Sequence, residues 1–558
     1  MSDTSNVIMF LFSVVTAAIQ LMNKTISSYG HISLPKMSKK SNLEAAMSSG
    51  TSKASESTPL ITKPNVDGEE IQKGSGLSVN QAALLVAGEM AGSGVLALPR
   101  ALVKTGWIGV PIIILMAAMA AFSGRRLGDC WSIIEGRDPE MRSRKRNPYA
   151  IIADQALGKT WSAAVSLAII VSLFGAAVVY LLLAAQIIEA VVLPLVPTVT
   201  FCLWYLIVAG AMTPLMLFAT PKDFSDISLT RVDAARSLKF PRGVNPSTIH
   251  SPAPASWCQR AAQKRSVRRR RLGVKSEKQS RRQKRAGPEA RPSCLRKPAQ
   301  FMGVIAFIST IVACVLYFIQ MMNDIKPFVF RWGIHGFQDF FLAFGTIMFA
   351  FGGASTFPTI QNDMVDKSKF GKSIHYSFLA ILALYLPIAI GGYAVYGESV
   401  APNISGSLTA TPLTLVGNIF MAVHLLAAFI IIINPVCQEM EELYNIPRDS
   451  LGYRTLVRVS IMAAIMFIGE SVPRFYTILA LVGGTTVALL TFILPSYCYL
   501  NLTSQPPRQG EAASETPGWM KLICWEIIVM GVVGGAAATF SAVSAIFSTA
   551  QATPCYMK

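Results

Sequence analysis

The chain has 558 residues, of which 52% are hydrophobic and 15% are charged, and its formal net charge is +19. Soluble domains are about 25% charged on average, so this composition predicts an integral membrane protein and excludes an ordinary soluble domain. The net charge by itself would favour an anionic partner. Residues 222–297, however, hold 21 Lys and Arg against 5 Asp and Glu, so the excess charge belongs to one segment.

The N-terminal residues 1–76 are predicted to form a disordered cytosolic tail, because the stretch after Met37 is rich in Ser, Thr, Lys and Glu and poor in aromatic residues. Residues 1–36 carry an apolar run that is short for a membrane span. They are either part of the tail or an upstream extension of the gene model. Within the tail, the residues Glu56, Leu60 and Ile61 fit the acidic dileucine pattern that sorting adaptors bind, although such short matches also arise by chance.

Eleven apolar segments follow, and each is close to the roughly 20 residues that a membrane-spanning helix needs. The sequence therefore predicts an all-α integral membrane protein with eleven transmembrane helices. These segments lie near 79–101, 105–124, 160–189, 198–219, 302–322, 337–362, 373–397, 413–436, 455–470, 475–500 and 524–548.

The first and sixth segments are each interrupted by small residues, at 92–94 and at 352–355, with a proline a few positions later. A spanning helix can unwind at such a point, and in lipid each unpaired backbone amide costs several kcal/mol unless it lines a cavity or meets a ligand. Paired interruptions in two halves of a chain point to a transporter substrate site near the bilayer midplane. The alternative is that these small residues only let helices pack closely.

Lys and Arg concentrate in alternate connections, most densely at 125–146, and this asymmetry predicts a cytosolic N-terminus. The short C-terminal tail, 549–558, is then outside the cell or in a lumen. The sequon at Asn403 falls in a loop predicted to be on that same side and predicts a glycan. The nine cysteines show no CxxC pair and no framework spacing, so we predict neither a disulfide nor a metal site.

Residues 222–300 are predicted to be a basic, disordered insert that separates transporter helices 1–4 (77–221) from helices 5–11 (301–548). The insert has no interleaved aromatic residues and no nucleic-acid-binding fold beside it, which argues against a nucleic-acid partner. Attraction to the anionic leaflet of the lipid bilayer and a tolerated loop without function remain the two interpretations.

Three stretches of the sequence resemble the amino acid/auxin permease family, particularly its invertebrate members: Gly92 to Pro99, Phe349 to Gly352 with Pro358, and Asn434 to Val436. The resemblance implies the inverted five-plus-five repeat of APC/LeuT type, with discontinuous helices 1 and 6 and an eleventh helix appended. It also implies proton- or sodium-coupled symport of amino acids across the plasma membrane or an endosomal or lysosomal membrane. The family pattern further implies a substrate site in which amides of the first break hold the carboxylate and residues of the second break flank the amino group and side chain: Gly92, Ser93, Gly94, Phe351, Gly352 and Ala354.

Glu89 stands where the family usually has an apolar residue, one turn before the first break, and helix spacing places it on the face of Gly92 and Ser93. Two interpretations are open: it carries a coupling proton, or it pairs with a basic neighbour near the cytosolic mouth. His424 is the second coupling candidate.

No nucleophile, metal-ligand or phosphate-binding constellation occurs in the sequence, so we predict neither an enzyme nor a cofactor beyond a coupling H⁺ or Na⁺. A transporter-like sensor that binds amino acid and signals through its tails is the competing function. A channel would require rings of like residues around a pore, and two asymmetric breaks argue against it.

Overall fold

The computed structural model describes residues 76–138, 147–193, 198–217, 297–325, 336–447, 450–506, 516–548 and 554–557, with residues 297–304 described by their backbone alone. The predictions made for the N-terminal tail, including the dileucine pattern at Glu56, Leu60 and Ile61, and for nearly all of the basic insert lie outside these residues.

The described chain is built from helices, joined by short turns and by one isolated β-bridge between Leu77 and Met364. In chain order the α-helices are α1 Val79–Met90, α2 Ser93–Thr105, α3 Gly109–Arg137, α4 Pro148–Leu157, α5 Lys159–Val192, α6 Phe201–Leu217, α7 Lys297–Asn323, α8 Phe337–Ala350, α9 Phe357–Asn362, α10 Phe370–Tyr396, α11 Pro412–Leu443, α12 Leu451–Ser471, α13 Phe475–Val482, α14 Leu494–Ser504 and α15 Gly518–Phe547. A π-helical stretch, Gly483–Ile493, joins α13 to α14, and a 3-10 turn, Cys555–Met557, ends the described chain.

Eight helices in the described part of the chain are long and apolar enough to cross a membrane. Two further apolar helices, α6 and α8, are shorter. The prediction of an all-α membrane protein is therefore confirmed. Helix α4 was not predicted, because its ten residues are too few for a span and it begins only after the left-handed residue Asn147.

The first interruption lies between α1 and α2, where Ala91 and Gly92 leave the helical path. Helix α1 begins with a capping box. The side chains of Ser78 and Gln81 each accept a hydrogen bond from the backbone N–H of the other residue, so local sequence fixes the start of the helix. The second interruption separates α8 from α9. It contains Gly353 at φ +148°, a backbone conformation that strongly favours glycine.

The two interruptions pack directly on each other. A Cβ added at Gly94 would lie 2.7 Å from the Cα of Ala350, the last residue of α8. A Cβ added at Gly353 would lie 3.2 Å from Cγ of Met90, the last residue of α1. Gly94 thus permits close packing of two helices, which for this residue favours the packing interpretation over contact with a ligand.

The cysteines contradict the sequence prediction in one respect. Cys202 in α6 and Cys555 in the C-terminal turn form a disulfide, although 353 residues separate them. The sequence carried no signal for this pair, because neither spacing nor a local motif brings the two residues together. The other cysteines in the described residues are free and buried.

We predict that Gly94→Ala lowers the thermal stability of the detergent-solubilised protein, because the added methyl group meets the Ala350 backbone. Overpacking of this kind costs about 1–3 kcal/mol. The matched control is Gly210→Ala in α6, where an added Cβ meets nothing within 4 Å and alanine favours the helix. Equal melting temperatures for Gly94→Ala and the wild type would contradict the close packing of the two interruptions.

Candidate functional site

A cavity opens beside the first interruption, between helices α1, α5, α7 and α11. Its polar groups come from Glu89, Tyr180 and His424, and the remaining wall is apolar. The lining residues are Leu84, Leu85, Gly88, Glu89, Tyr180, Ala306, Phe307, His424, Ala428, Ile431 and Ile432. A largely apolar cavity with a few converging polar groups is the usual form of a small-molecule site.

Two of these polar side chains face the backbone of the interruption. A Cβ added at Gly92 would lie 2.6 Å from Oη of Tyr180 and 3.3 Å from Nε2 of His424. The ring centroids of Tyr180 and His424 are 6.3 Å apart in an edge-to-face arrangement. Gly92 therefore lets these two side chains approach the backbone closely, and any larger residue would clash with the Tyr180 hydroxyl.

The His424 ring is oriented by helix α7. Its Nδ1 lies 2.9 Å from the carbonyl oxygen of Ala306, which is an acceptor, so Nδ1 carries the proton in the neutral ring. Its Nε2 is buried and has no hydrogen-bond partner in the part of the chain that the structure describes. A buried polar atom without a partner is rare in proteins, and here it is directed at the interruption.

The N-terminus of α2 presents further polar groups at the same place. The first amides of a helix have no partner within the helix, and no side chain caps α2. The hydroxyl of Ser93 is buried and likewise makes no hydrogen bond within the described residues. A helix N-terminus carries partial positive charge, so this end of the cavity suits a carboxylate.

Glu89 lines the cavity one turn before Gly92. Among the described residues no Lys, Arg or His forms a salt bridge with it: the ion pairs there join other residues. The described residues therefore offer no ion-pair partner that would support the interpretation of Glu89 as one half of a salt bridge. Its carboxyl group and the imidazole of His424 belong to the same cavity wall.

Tyr385 of α10 joins the two interruptions. Its hydroxyl lies 2.5 Å from the carbonyl oxygen of Met90 and 3.2 Å from that of Ala350, the last residues of α1 and α8. Carbonyl groups at a helix C-terminus have no hydrogen-bond donor within the helix, and lipid provides none. The Tyr385 hydroxyl is the donor available to these two carbonyl groups. The sequence analysis missed both Tyr385 and Tyr180, since single tyrosines in long apolar runs carry no distinguishing pattern.

Two residues of the second interruption, Phe351 and Ala354, are buried, and two of its amides are paired within the chain. Phe351 is fully buried, with its ring centroid 5.7 Å from that of Tyr385. The amides of Phe351 and Gly352 donate to the carbonyls of Met348 and Phe349 at 3.2 and 2.9 Å, so they are already paired. Ala354 is buried as well. Of the predicted site residues, Glu89 and His424 line the cavity, and Gly92, followed by Ser93, lies against the cavity residues Tyr180 and His424. Phe351 and Ala354 are buried in the second interruption, and Gly352 is partly exposed.

Asn403, the predicted glycosylation site, lies at the start of the 3-10 turn Ile404–Gly406. Its side chain accepts a hydrogen bond from the amide of Ser405 at 3.1 Å, and the residue is only 7% exposed. This burial argues against a glycan on Asn403 in the folded protein.

Comparison with known proteins yields a family match. The model of the family described as "Transmembrane amino acid transporter protein" matches residues 75–234 and 295–541. Residues 235–294, within the predicted insert, are skipped by this match.

Among curated relatives, "Amino acid transporter AVT1D" of Arabidopsis thaliana is 22% identical over 512 residues, which cover 88% of this chain and 78% of that protein. "Amino acid transporter AVT3C" of the same organism is 29% identical over 228 residues, 40% of this chain and 48% of that protein. The chain thus matches about half the length of the second relative. A solved manganese transporter of Eremococcus coleocola is 12% identical, covers 85% of this chain and 88% of its own, and superimposes with a TM-score of 0.44.

We predict that Tyr385→Phe destabilises the protein, because it removes the hydroxyl that serves the carbonyls of Met90 and Ala350. Leaving such buried groups unpaired costs about 1–3 kcal/mol. The matched control is Tyr376→Phe on the same helix, where the side chain is exposed. Thermal unfolding of the purified protein measures both, and an equal melting temperature for the two variants would show that the hydroxyl does not hold the interruptions together.

Proposed function

The chain belongs to the transmembrane amino acid transporter protein family, and from that membership we propose that it is a secondary active transporter that moves amino acids across a membrane. The observation that carries this proposal is the cavity at the first interruption. There a carboxyl group and an imidazole nitrogen that has no partner among the described residues line the cavity, and the uncapped N-terminus of α2 begins next to them.

A zwitterionic amino acid fits the charges around the interruptions. Its carboxylate would lie at the N-terminus of α2, hydrogen-bonded by the amides near Ser93, while Nε2 of His424 would accept a hydrogen bond from the ammonium group. Its ammonium group would lie toward Glu89 and the C-terminal end of α1, which carries partial negative charge. The apolar wall, including Phe307 and Ile431, would hold the side chain of the substrate.

The topology that we propose has eleven spanning helices. In it, α1 with α2 and α8 with α9 are the discontinuous helices 1 and 6 of an inverted five-plus-five repeat, and α15 is the eleventh helix. The N-terminus is cytosolic and the C-terminus is outside or luminal, because the basic connections lie on the N-terminal side. The eight long helices and the shorter α6 and α8 make ten. The eleventh span arises because the long stretch Ser93–Arg137 contains both α2, the second half of helix 1, and α3, which is helix 2.

Coupling to protons is the second part of the proposal. A carboxyl group inside a membrane protein is costly when ionised, so its protonation responds to water and to a nearby ammonium group. Glu89 meets this requirement, since it lines the cavity without a salt-bridge partner among the described residues. His424 is the alternative proton carrier, and a sodium ion held by carbonyl groups at the first interruption is the alternative ion.

The test is uptake of labelled amino acids into proteoliposomes, over a panel of substrates and with or without a pH gradient. Saturable flux supports the transporter. Saturable binding without flux would instead support a sensor that signals through its tails, and single-channel currents would support a pore.

We predict that Glu89→Gln keeps amino acid exchange, which needs no net proton movement, and loses accumulation driven by a pH gradient. Exchange and accumulation are measured on the same reconstituted sample, so a folding defect would reduce both. Glu526→Gln, an exposed position on α15, is the matched control and should retain both activities. Gradient-driven accumulation that persists in Glu89→Gln would eliminate Glu89 as the proton carrier and direct attention to His424.

We predict that deletion of residues 235–294 leaves transport intact, because the family match skips this segment and a long loop changes chain-closure entropy only slowly. Expression at the membrane and initial uptake rate are the two measurements. A deletion variant that reaches the membrane at wild-type level but fails to transport would show that the basic insert takes part in function.

A further inference from the structure

The C-terminal turn, Cys555–Met557, is attached to the helix bundle at two separate points. Cys555 is bonded to Cys202, the second residue of α6, with the two Cα atoms 5.6 Å apart. Beside this bond, the ring of Tyr556 stacks on Phe467 of α12, at 6.4 Å between centroids and an interplanar angle of 4°. The hydroxyl of Tyr556 also lies 3.5 Å from that of Ser471, the last residue of α12.

The surface that receives this turn is itself tightly built. Tyr205 of α6 donates its hydroxyl to the carbonyl oxygen of Ile465 in α12 at 2.9 Å. The side chain of Tyr205 lies against Gly469, a position where no larger residue would fit. The N-terminal end of α6 and the C-terminal end of α12 therefore form one unit, and the turn covers it.

We propose that Cys202 and Cys555 form a native disulfide that clamps the C-terminal segment across the ends of α6 and α12. We propose further that this face of the protein is exposed to an oxidising compartment. In the membrane topology proposed above this is the face away from the cytosol, where disulfides form and persist. The sidedness rests on the proposed topology, whereas the clamp itself requires only the contacts of Cys202, Cys555 and Tyr556.

The chemistry is a thiol–disulfide exchange with a protein disulfide oxidoreductase of that compartment. The thiolate of one cysteine attacks the disulfide of the oxidoreductase and forms a mixed disulfide, and the second thiolate then displaces the oxidoreductase. The two cysteines lose two protons and two electrons as their S–S bond forms. The oxidoreductase is released as the reduced dithiol.

A carboxyl oxygen of Glu470 lies within 4.8 Å of both sulfur atoms. In the reduced protein two thiolates and a carboxylate could bind Zn²⁺, so a metal site is the chemical alternative to the disulfide. The two are distinguishable, because a zinc site holds the cysteines reduced and loses its metal to a chelator, whereas a disulfide holds no metal.

The first experiment cuts the full-length protein at a protease site inserted within residues 507–515. If the clamp exists, the C-terminal fragment stays attached to the remainder on a non-reducing gel and separates on reduction. The C-terminal fragment of the Cys555→Ser variant should separate without reductant. The Cys314→Ser variant, changed at a free buried cysteine, should behave as the wild type. Separation of the wild-type fragment without reductant would overturn the proposal.

The second experiment needs no variant that could misfold. In wild-type protein denatured without reductant, two of the nine cysteines should resist alkylation, and peptide mass spectrometry should identify them as Cys202 and Cys555. Purified unreduced protein should contain no stoichiometric zinc. Full alkylation without reductant, or one bound zinc released by chelator together with two newly reactive thiols, would overturn the disulfide.

The third measurement tests the sidedness. A membrane-impermeant reductant added to intact cells or to sealed vesicles that expose the C-terminus should open the disulfide in protein cut at the inserted site. It should also lower the melting temperature of the wild type after extraction, because a bond that closes a long loop restricts the unfolded chain. The melting temperature of Cys202→Ser should not respond. If the disulfide is reduced only by a membrane-permeant reductant in every such preparation, the proposal that this face lies away from the cytosol is wrong.

Discussion

The need to pair backbone groups where two helices stop inside a membrane is the constraint on which this structure depends. Each interruption leaves carbonyls at one helix end and amides at the next, and lipid offers them no partner. The hydroxyl of Tyr385 lies within hydrogen-bond distance of the terminal carbonyls of both α1 and α8. In the second interruption, the amides of Phe351 and Gly352 donate hydrogen bonds to carbonyl groups of the preceding turn. The N-terminus of α2 begins beside Tyr180 and His424, two of the residues that line the cavity.

The glycines around the interruptions have different physical roles despite their proximity in sequence. Gly92 lets the Tyr180 hydroxyl and the His424 imidazole approach the backbone, whereas Gly94, two residues on, lets α2 touch the backbone of Ala350. Gly353 is required by its positive φ angle. A valine at any of the three would disturb the packing for a different reason. At Gly92 it would clash with the Tyr180 hydroxyl, at Gly94 it would separate two helices, and at Gly353 it would strain the backbone.

Charged side chains within the spans are held by partners that are remote in the sequence. Arg458 of α12 is 2% exposed. It donates to Glu441 of α11 at 2.8 Å and to the carbonyl of Met216 near the end of α6 at 2.9 Å. Removing one partner of such a buried pair leaves an uncompensated charge, which costs several kcal/mol. Glu89 has no salt bridge of this kind among the described residues, and that contrast is why we propose it as the carrier of a coupling proton.

The sequence by itself determined the membrane class, the helical segments and the location of both interruptions, because apolar run length and small-residue breaks are local properties of the chain. Glu89, Ser93 and His424 could be proposed as site residues for the same reason. Tertiary structure alone decided that Tyr180 lines the cavity, that Tyr385 joins the two interruptions, that Gly94 packs against Ala350 and that Cys202 meets Cys555. These outcomes depend on which helix faces lie together, and no local pattern encodes a contact between residues that are hundreds of positions apart.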